Sequence, residues 1–124
     1  MAKLFLIAGC FQGFLSVAFG AFGAHALKTR FDEYAMGVYK TGVEYQFSHT
    51  FALLAVGLLL LKVDEKLLQY SGWSFLLGTI VFSGSLYLLA FTGVKTWGAV
   101  TPIGGTLFLA GWLMAAFAVS KANF

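Results

Sequence analysis

The sequence predicts an all-α fold: a polytopic membrane protein, a four-transmembrane-helix bundle with a short interfacial amphipathic helix between helices 1 and 2. Two observations predict it. Leu4–Leu27, Tyr45–Leu61, Leu67–Val94 and Thr96–Ser120 contain no Asp, Glu, Lys or Arg, and about 20 apolar residues suffice to cross a ~30 Å hydrocarbon core. The composition agrees, with 60% hydrophobic and 10% charged residues and a mean hydropathy of +0.85. A soluble domain carries about 25% charged residues. Residues 1–124 read as one membrane domain, since no stretch between spans is long enough to close a separate soluble core.

Span one is expected at about residues 4–24. Gly9, Gln12, Gly13, Ser16, Gly20 and Gly23 share one helical face, while Leu4, Ile7, Phe11, Phe14, Leu15, Ala18 and Phe22 occupy the other. In lipid, helices associate by close packing, so small residues mark the helix–helix face. That pattern makes span one the expected inner helix of the bundle.

The next segment, about residues 30–41, is amphipathic. Thr29-x-x-Asp32 is an acceptable capping box. Phe31, Tyr34, Ala35, Val38 and Tyr39 fall on one side, with Glu33 and Lys40 opposite. A helix of that kind is expected to lie in the interface, with Gly42 as a break before span two at about residues 43–61.

Span two opens on the polar cluster Glu44, Tyr45, Gln46 and His49, and its remainder is lipid-compatible. The turn Lys62-Val63-Asp64-Glu65-Lys66 belongs in water. Span three, at about 70–91, carries small or hydroxylated residues on two faces: Gly72, Thr79, Ser83 and Ala90 on one, Ser74, Gly78, Ser85 and Thr92 on the other. Two such faces predict two neighbours. Span four, at about 102–119, is expected to start at Thr101-Pro102, an N-cap followed by proline at the first helical position. Gly104, Gly111, Ala115 and Ala118 form its packing stripe. The two halves of the chain show no repeat that would support an inverted-repeat transporter.

Four spans place both termini on one side, with Lys3, Lys62, Lys66 and Lys121; the other side holds Lys28, Arg30, Lys40 and Lys95. The positive-inside count is a tie, and the α-amino group tips the expectation toward cytoplasmic termini. The net charge of +3 comes from lysines flanking apolar spans, which fits anchoring at anionic headgroups and leaves no basic cluster for nucleic acid. The bilayer is the expected partner. The single cysteine, Cys10, excludes an internal disulfide and any cysteine-based metal cluster. Ile7-Ala8-Gly9-Cys10 has the look of a lipoprotein cleavage box, but only Leu4–Ile7 precede it as an apolar core, whereas a signal needs about 7–15 residues there.

Five short words stand out: Gly20-Ala21-Phe22-Gly23-Ala24-His25, Tyr45-Gln46-x-x-His49, Phe82-Ser83-Gly84-Ser85-Leu86-Tyr87, Thr101-Pro102-Ile103-Gly104-Gly105 and Gly111-Trp112. In this order and spacing the chain resembles the YgdD/YwdK-like family of small bacterial inner-membrane proteins, a domain-of-unknown-function family, over nearly its whole length. The resemblance implies a four-helix protein of the bacterial cell membrane and no particular reaction.

An ionisable side chain inside a membrane is a functional candidate because its insertion is costly. His49 is the foremost one, with Tyr45 a turn earlier and Gln46 adjacent. Gln12 and Ser16 on span one are the expected partners. These five form either an interhelical clamp or a polar pocket. Glu44 caps the start of span two and is a candidate to pair with His25 or Lys28 at the same membrane face. Gly9, Gly13, Gly20, Gly23, Ser83, Gly104 and Gly111 are the expected packing positions. No catalytic set can be assembled, since no acid lies at the depth of His49. Two histidines without converging carboxylates make no metal site, and no cofactor motif occurs. The expectation is a small structural or accessory component acting by helix association, as a homo-oligomer or within a larger membrane complex. The alternative is a small oligomeric transporter or channel with its path around His49, Gln46, Tyr45 and Gln12.

Overall fold

Four helices, α1 (Ala2–His25), α2 (Glu33–Leu60), α3 (Lys66–Thr92) and α4 (Thr96–Lys121), make up the chain in a computed structural model that describes every residue from Met1 to Phe124. There are no strands. All four are long and apolar enough to cross a membrane; at 1.5 Å per residue helices of 24 to 28 residues reach about 36–42 Å, more than the ~30 Å hydrocarbon core. The protein is a multi-pass membrane protein.

Short connections force chain neighbours to run antiparallel. The Asp32 carboxylate accepts the Ala35 N–H at 2.7 Å and starts α2, which satisfies one of the orphan donors at its end. Glu65 plays the same part for α3, accepting the Leu67 N–H. Gly93 ends α3 in the left-handed conformation (φ 70°) and returns its N–H to Leu89 O at 2.9 Å. A side chain there would be strained, and the turn to α4 needs only Val94 and Lys95.

α1 packs on α2, α2 on α3 and α3 on α4. The most apolar windows of α2 and α3 are 39% and 44% buried, against 22% in both α1 and α4. The inner helices are therefore α2 and α3, and α1 is a flank. The glycine stripe of α1 correctly marks a packing face, but a helix with one such face has one main neighbour.

The interior is arranged in layers along the membrane normal. Phe5, Leu53, Leu68 and Phe75, with Ala52, Val56, Phe108 and Ala118, form an apolar cluster toward the end of the bundle that holds the termini. Leu27, Tyr39 and Ala90 form a smaller one at the opposite end. Buried polar side chains, among them Gln12, Gln46, Thr50 and Ser83, lie between. The outer coat is bulky, with Phe11, Phe14, Ile103, Leu109 and Phe117 all more than half exposed, as lipid contact requires.

Two expected elements differ. No separate interfacial helix exists at 30–41: α2 runs unbroken from Glu33 through Gly42 to Leu60, with Asp32 and not Thr29 at its cap. Gly42 serves close approach instead of a break. An added Cβ there would come within 2.7 Å of the Tyr87 ring, and the Gly42 carbonyl accepts the Ser83 hydroxyl at 2.6 Å. Continuing the helix also lets Tyr39 bury and donate to the Phe19 carbonyl, which it could not do from a separate helix lying in the interface plane. Similarly, α4 begins at Thr96, so Pro102 lies inside it. Thr101 is not a cap; its hydroxyl lies 2.5 Å from Ser85 Oγ on α3.

Candidate functional site

The polar layer begins with a pair of glutamines. Gln12, midway along α1, donates its side-chain amide to the Gln46 main-chain carbonyl at 3.1 Å. Gln46, midway along α2, returns its own amide to the Gln12 carbonyl at 3.5 Å. Each helix thus grips the backbone of the other. The remaining oxygen of Gln46, Oε1, accepts the Tyr87 hydroxyl of α3, so one residue ties three helices together. Ser16 and Thr50 flank the pair and bond within their own helices, to Gln12 O and Gln46 O, both at 2.8 Å.

Small residues are what permit this approach. Leu54 fills the hollow at Gly9, Thr50 that at Gly13, Val43 that at Gly20 and Tyr39 that at Gly23. Each step up α1 matches a like step down α2, an antiparallel register of knobs into glycine holes. The same device joins α3 to α4, with larger knobs. Phe75 enters the hollow at Gly111 and Phe108 that at Gly78, while Gly104 lets the α4 backbone approach the α3 backbone at Phe82. Hydroxyls close the seam. Ser71 donates to Gly111 O and Ser74 to Leu107 O, both at 2.7 Å. The two small faces of α3 therefore do meet two neighbours, α2 through Ser83 and α4 through Ser71, Ser74 and Ser85.

His49 is not part of the glutamine layer. Its Nδ1 lies 2.8 Å from the Tyr45 carbonyl, and its Nε2 accepts the Trp112 indole N–H at 3.1 Å. A carbonyl can only accept and an indole N–H can only donate, so the two partners together fix the neutral Nδ1–H tautomer. The ring stacks on Phe108 at 3.6 Å between centroids and 9° between planes. Tyr45 stacks alongside with its side chain 41% exposed toward lipid. His49 thus faces α4, whereas Gln12 and Ser16 face α2 from the other side.

Sequence reasoning missed three partners. Tyr87 closes the glutamine layer, Tyr39 fills Gly23, and Trp112 holds His49. Each does so through an aromatic body with a polar tip, which hydropathy alone cannot separate from an interfacial anchor. No buried side-chain nitrogen or oxygen in the molecule lacks a hydrogen-bond partner.

His25 and Glu44 are not brought into a pair. Both are exposed, and Glu44 lines a groove between the end of α1 and the start of α2, together with Lys28 and Lys40. No three His, Cys, Asp or Glu side chains converge anywhere as a metal site would require.

The family model described as "Protein of unknown function (DUF423)" matches residues 19–105. Curated relatives extend the match to nearly the whole chain. The UPF0382 membrane protein of Haemophilus influenzae is 45% identical over 125 residues, covering 99% of this chain and 98% of the relative. The UPF0382 inner membrane protein YgdD of Escherichia coli K12 is 42% identical, covering 91% and 86%. The UPF0382 membrane protein SH2409 of Staphylococcus haemolyticus is 42% identical, covering 96% and 97%. No solved structure matches.

Proposed function

The chain belongs to the DUF423 family of UPF0382 membrane proteins, and from that premise we propose that it is a small structural or accessory component that works by helix association within the bacterial inner membrane. The observation that carries this reading is the complete pairing of the buried polar groups. Gln12, Gln46 and Tyr87 satisfy one another, and Trp112 occupies His49. A conduit needs polar groups left free to exchange hydrogen bonds with a passing solute. A clamp uses them up, and the pairing of the buried groups supports the clamp reading.

The glycine and serine faces of α1, α3 and α4 are filled inside the bundle, so association falls to a different surface. Tyr34, Gly37 and Ser48 are exposed on α2, with Thr41 between them half-buried. An added Cβ at Gly37 would meet nothing within 4 Å. A small, hydroxylated stripe left open to lipid is the kind of face on which a second helix packs. The partner is a further copy of this chain or a larger complex. The four cations on each face balance, and we place both termini in the cytoplasm.

Three experiments test the reading. Purified protein in proteoliposomes should pass no more protons or alkali cations than empty vesicles; a flux abolished by His49→Ala would establish the transporter reading instead. With Cys10→Ser, a cysteine at Thr41 should cross-link in native membranes to itself or to one partner at fixed stoichiometry, whereas a cysteine at Leu113 on α4 should not. A reporter fused after Phe124 should be active only in a form that functions in the cytoplasm.

A further inference from the structure

We propose that the groove between α1 and α2 binds a phospholipid headgroup carrying a primary ammonium beside its phosphate. The groove encloses about 690 Å³, within the range of small-molecule sites and large enough for such a headgroup with its glycerol. Gly20, Gly23 and Ala24 line it from the last turns of α1. Val43 and Met36 line it from α2.

Its depth points to a lipid. α2 exceeds the ~30 Å hydrocarbon core by more than two turns at 1.5 Å per residue, so its first turns stand among headgroups. Lys40 and Glu44 lie about 10 and 16 Å along the axis from Glu33, which takes the groove from the headgroup zone to the top of the acyl chains. A charged side chain at that boundary is costly unless a polar group meets it. Lys28, Lys40 and Glu44 all line the groove, all are exposed, and none has a partner within the chain.

The charges select the headgroup. Two ammonium groups, Lys28 and Lys40, suit a phosphodiester. Three carboxylates, Asp32, Glu33 and Glu44, share the groove; Asp32 is engaged by the Ala35 N–H, leaving Glu33 and Glu44 for a cation. A purely anionic headgroup would satisfy the lysines and be repelled by the acids. A quaternary ammonium cannot donate hydrogen bonds to carboxylates, and the aromatics here form no cage for it, since Phe31 stands edge-on to Tyr39 and to Phe91. A primary ammonium meets both needs through charge-assisted hydrogen bonds.

The test is native mass spectrometry of the full chain in detergent, titrated with phosphatidylethanolamine, its mono-, di- and trimethylated forms, and phosphatidylglycerol. Retention should fall stepwise with methylation and end on the order of tenfold lower for the trimethylated lipid, the equivalent of about one charge-assisted hydrogen bond. Glu44→Gln should reduce that preference, and Glu33→Gln with Glu44→Gln should erase it, while phospholipid still binds. Lys40→Gln should weaken every phospholipid, and Lys62→Gln at the opposite face should change nothing. Soluble glycerophosphoethanolamine at equal concentration should not displace the lipid. Equal retention of all headgroups, a preference for phosphatidylglycerol, an unaltered preference in Glu44→Gln, or displacement by the soluble headgroup would each overturn the proposal.

Discussion

Gln12 and Gln46 exchange amides across the α1–α2 interface, each side chain donating to the other's main-chain carbonyl at 3.1 and 3.5 Å. The arrangement is reciprocal because the helices are antiparallel and both glutamines sit at mid-length. It places two amides midway along their spans, each held by the other helix's backbone, and it links the pair to Tyr87, whose hydroxyl donates to Gln46 Oε1.

Removal of the two glutamines should therefore be unequal. Gln12→Leu deletes one donor and should lower unfolding free energy by about 0.6 kcal/mol, the mean for interhelical bonds in lipid. Gln46→Leu also strands the Tyr87 hydroxyl and should cost about 1–2 kcal/mol. A double-mutant cycle on thermal or steric-trap unfolding in detergent should be close to additive, because each side chain bonds the other's main-chain carbonyl, which leucine leaves in place; strong coupling would mean that the two amides bond each other directly.

The His49 tautomer is a direct readout of the α2–α4 contact. Solid-state ¹⁵N spectra should show neutral His49 protonated on Nδ1, as the Tyr45 carbonyl and the Trp112 indole require. Trp112→Phe keeps the ring and removes the donor, so the Nε2 resonance should shift while the fold persists. An Nε2–H signal in the wild type would contradict the geometry.

Glycines should divide sharply by what lies opposite. At Gly104 a Cβ would strike the Phe82 backbone, with Cα at 2.6 Å, so Gly104→Ala forces the α3–α4 seam apart and should lose about 1–3 kcal/mol. At Gly37 and Gly84 nothing lies within 4 Å. Alanine there should be neutral or stabilise by up to about 1 kcal/mol, measured on the monomer in detergent. Equal effects at all three sites would show that propensity and not packing governs.

The start of α4 can be tested by a cross-link. Ser85 Oγ and Thr101 Oγ1 are 2.5 Å apart, close to the ~2.05 Å of a disulfide. Ser85→Cys with Thr101→Cys, in a Cys10→Ser background, should lose two hydrogens by intact mass after mild oxidation. Thiols that both remain open to alkylation would place the α4 turn before Pro102 elsewhere.

Much of the architecture was legible in one dimension. Charge-free stretches located the four helices, and the glycine positions marked packing surfaces, because both signals are local. The errors arose where a local signal had two meanings. Gly42 read as a break because glycine weakens helices, yet it is a hole for Tyr87. Thr101-Pro102 read as a helix start because proline is tolerated there, yet the turn before it is already helical. Tyr39 read as an interfacial anchor because it falls on the apolar side of an amphipathic helical segment, yet its ring is needed at Gly23.

The sequence by itself determined that this protein lives in the bilayer as four helices, since transfer of an uncharged apolar segment into lipid needs no tertiary partner. It also determined that Gln12, Gln46 and His49 had to be satisfied internally. Only the tertiary structure decided by whom. Gln46 and His49 are three residues apart, about 60° around a helix of 3.6 residues per turn, and that angle divides them between neighbours. Gln46 meets α1 and Tyr87 of α3, while His49 turns to Phe108 and Trp112 of α4. Which neighbour stands at each angle depends on how the knobs and hollows of four helices interlock at once, and no single helix carries that information.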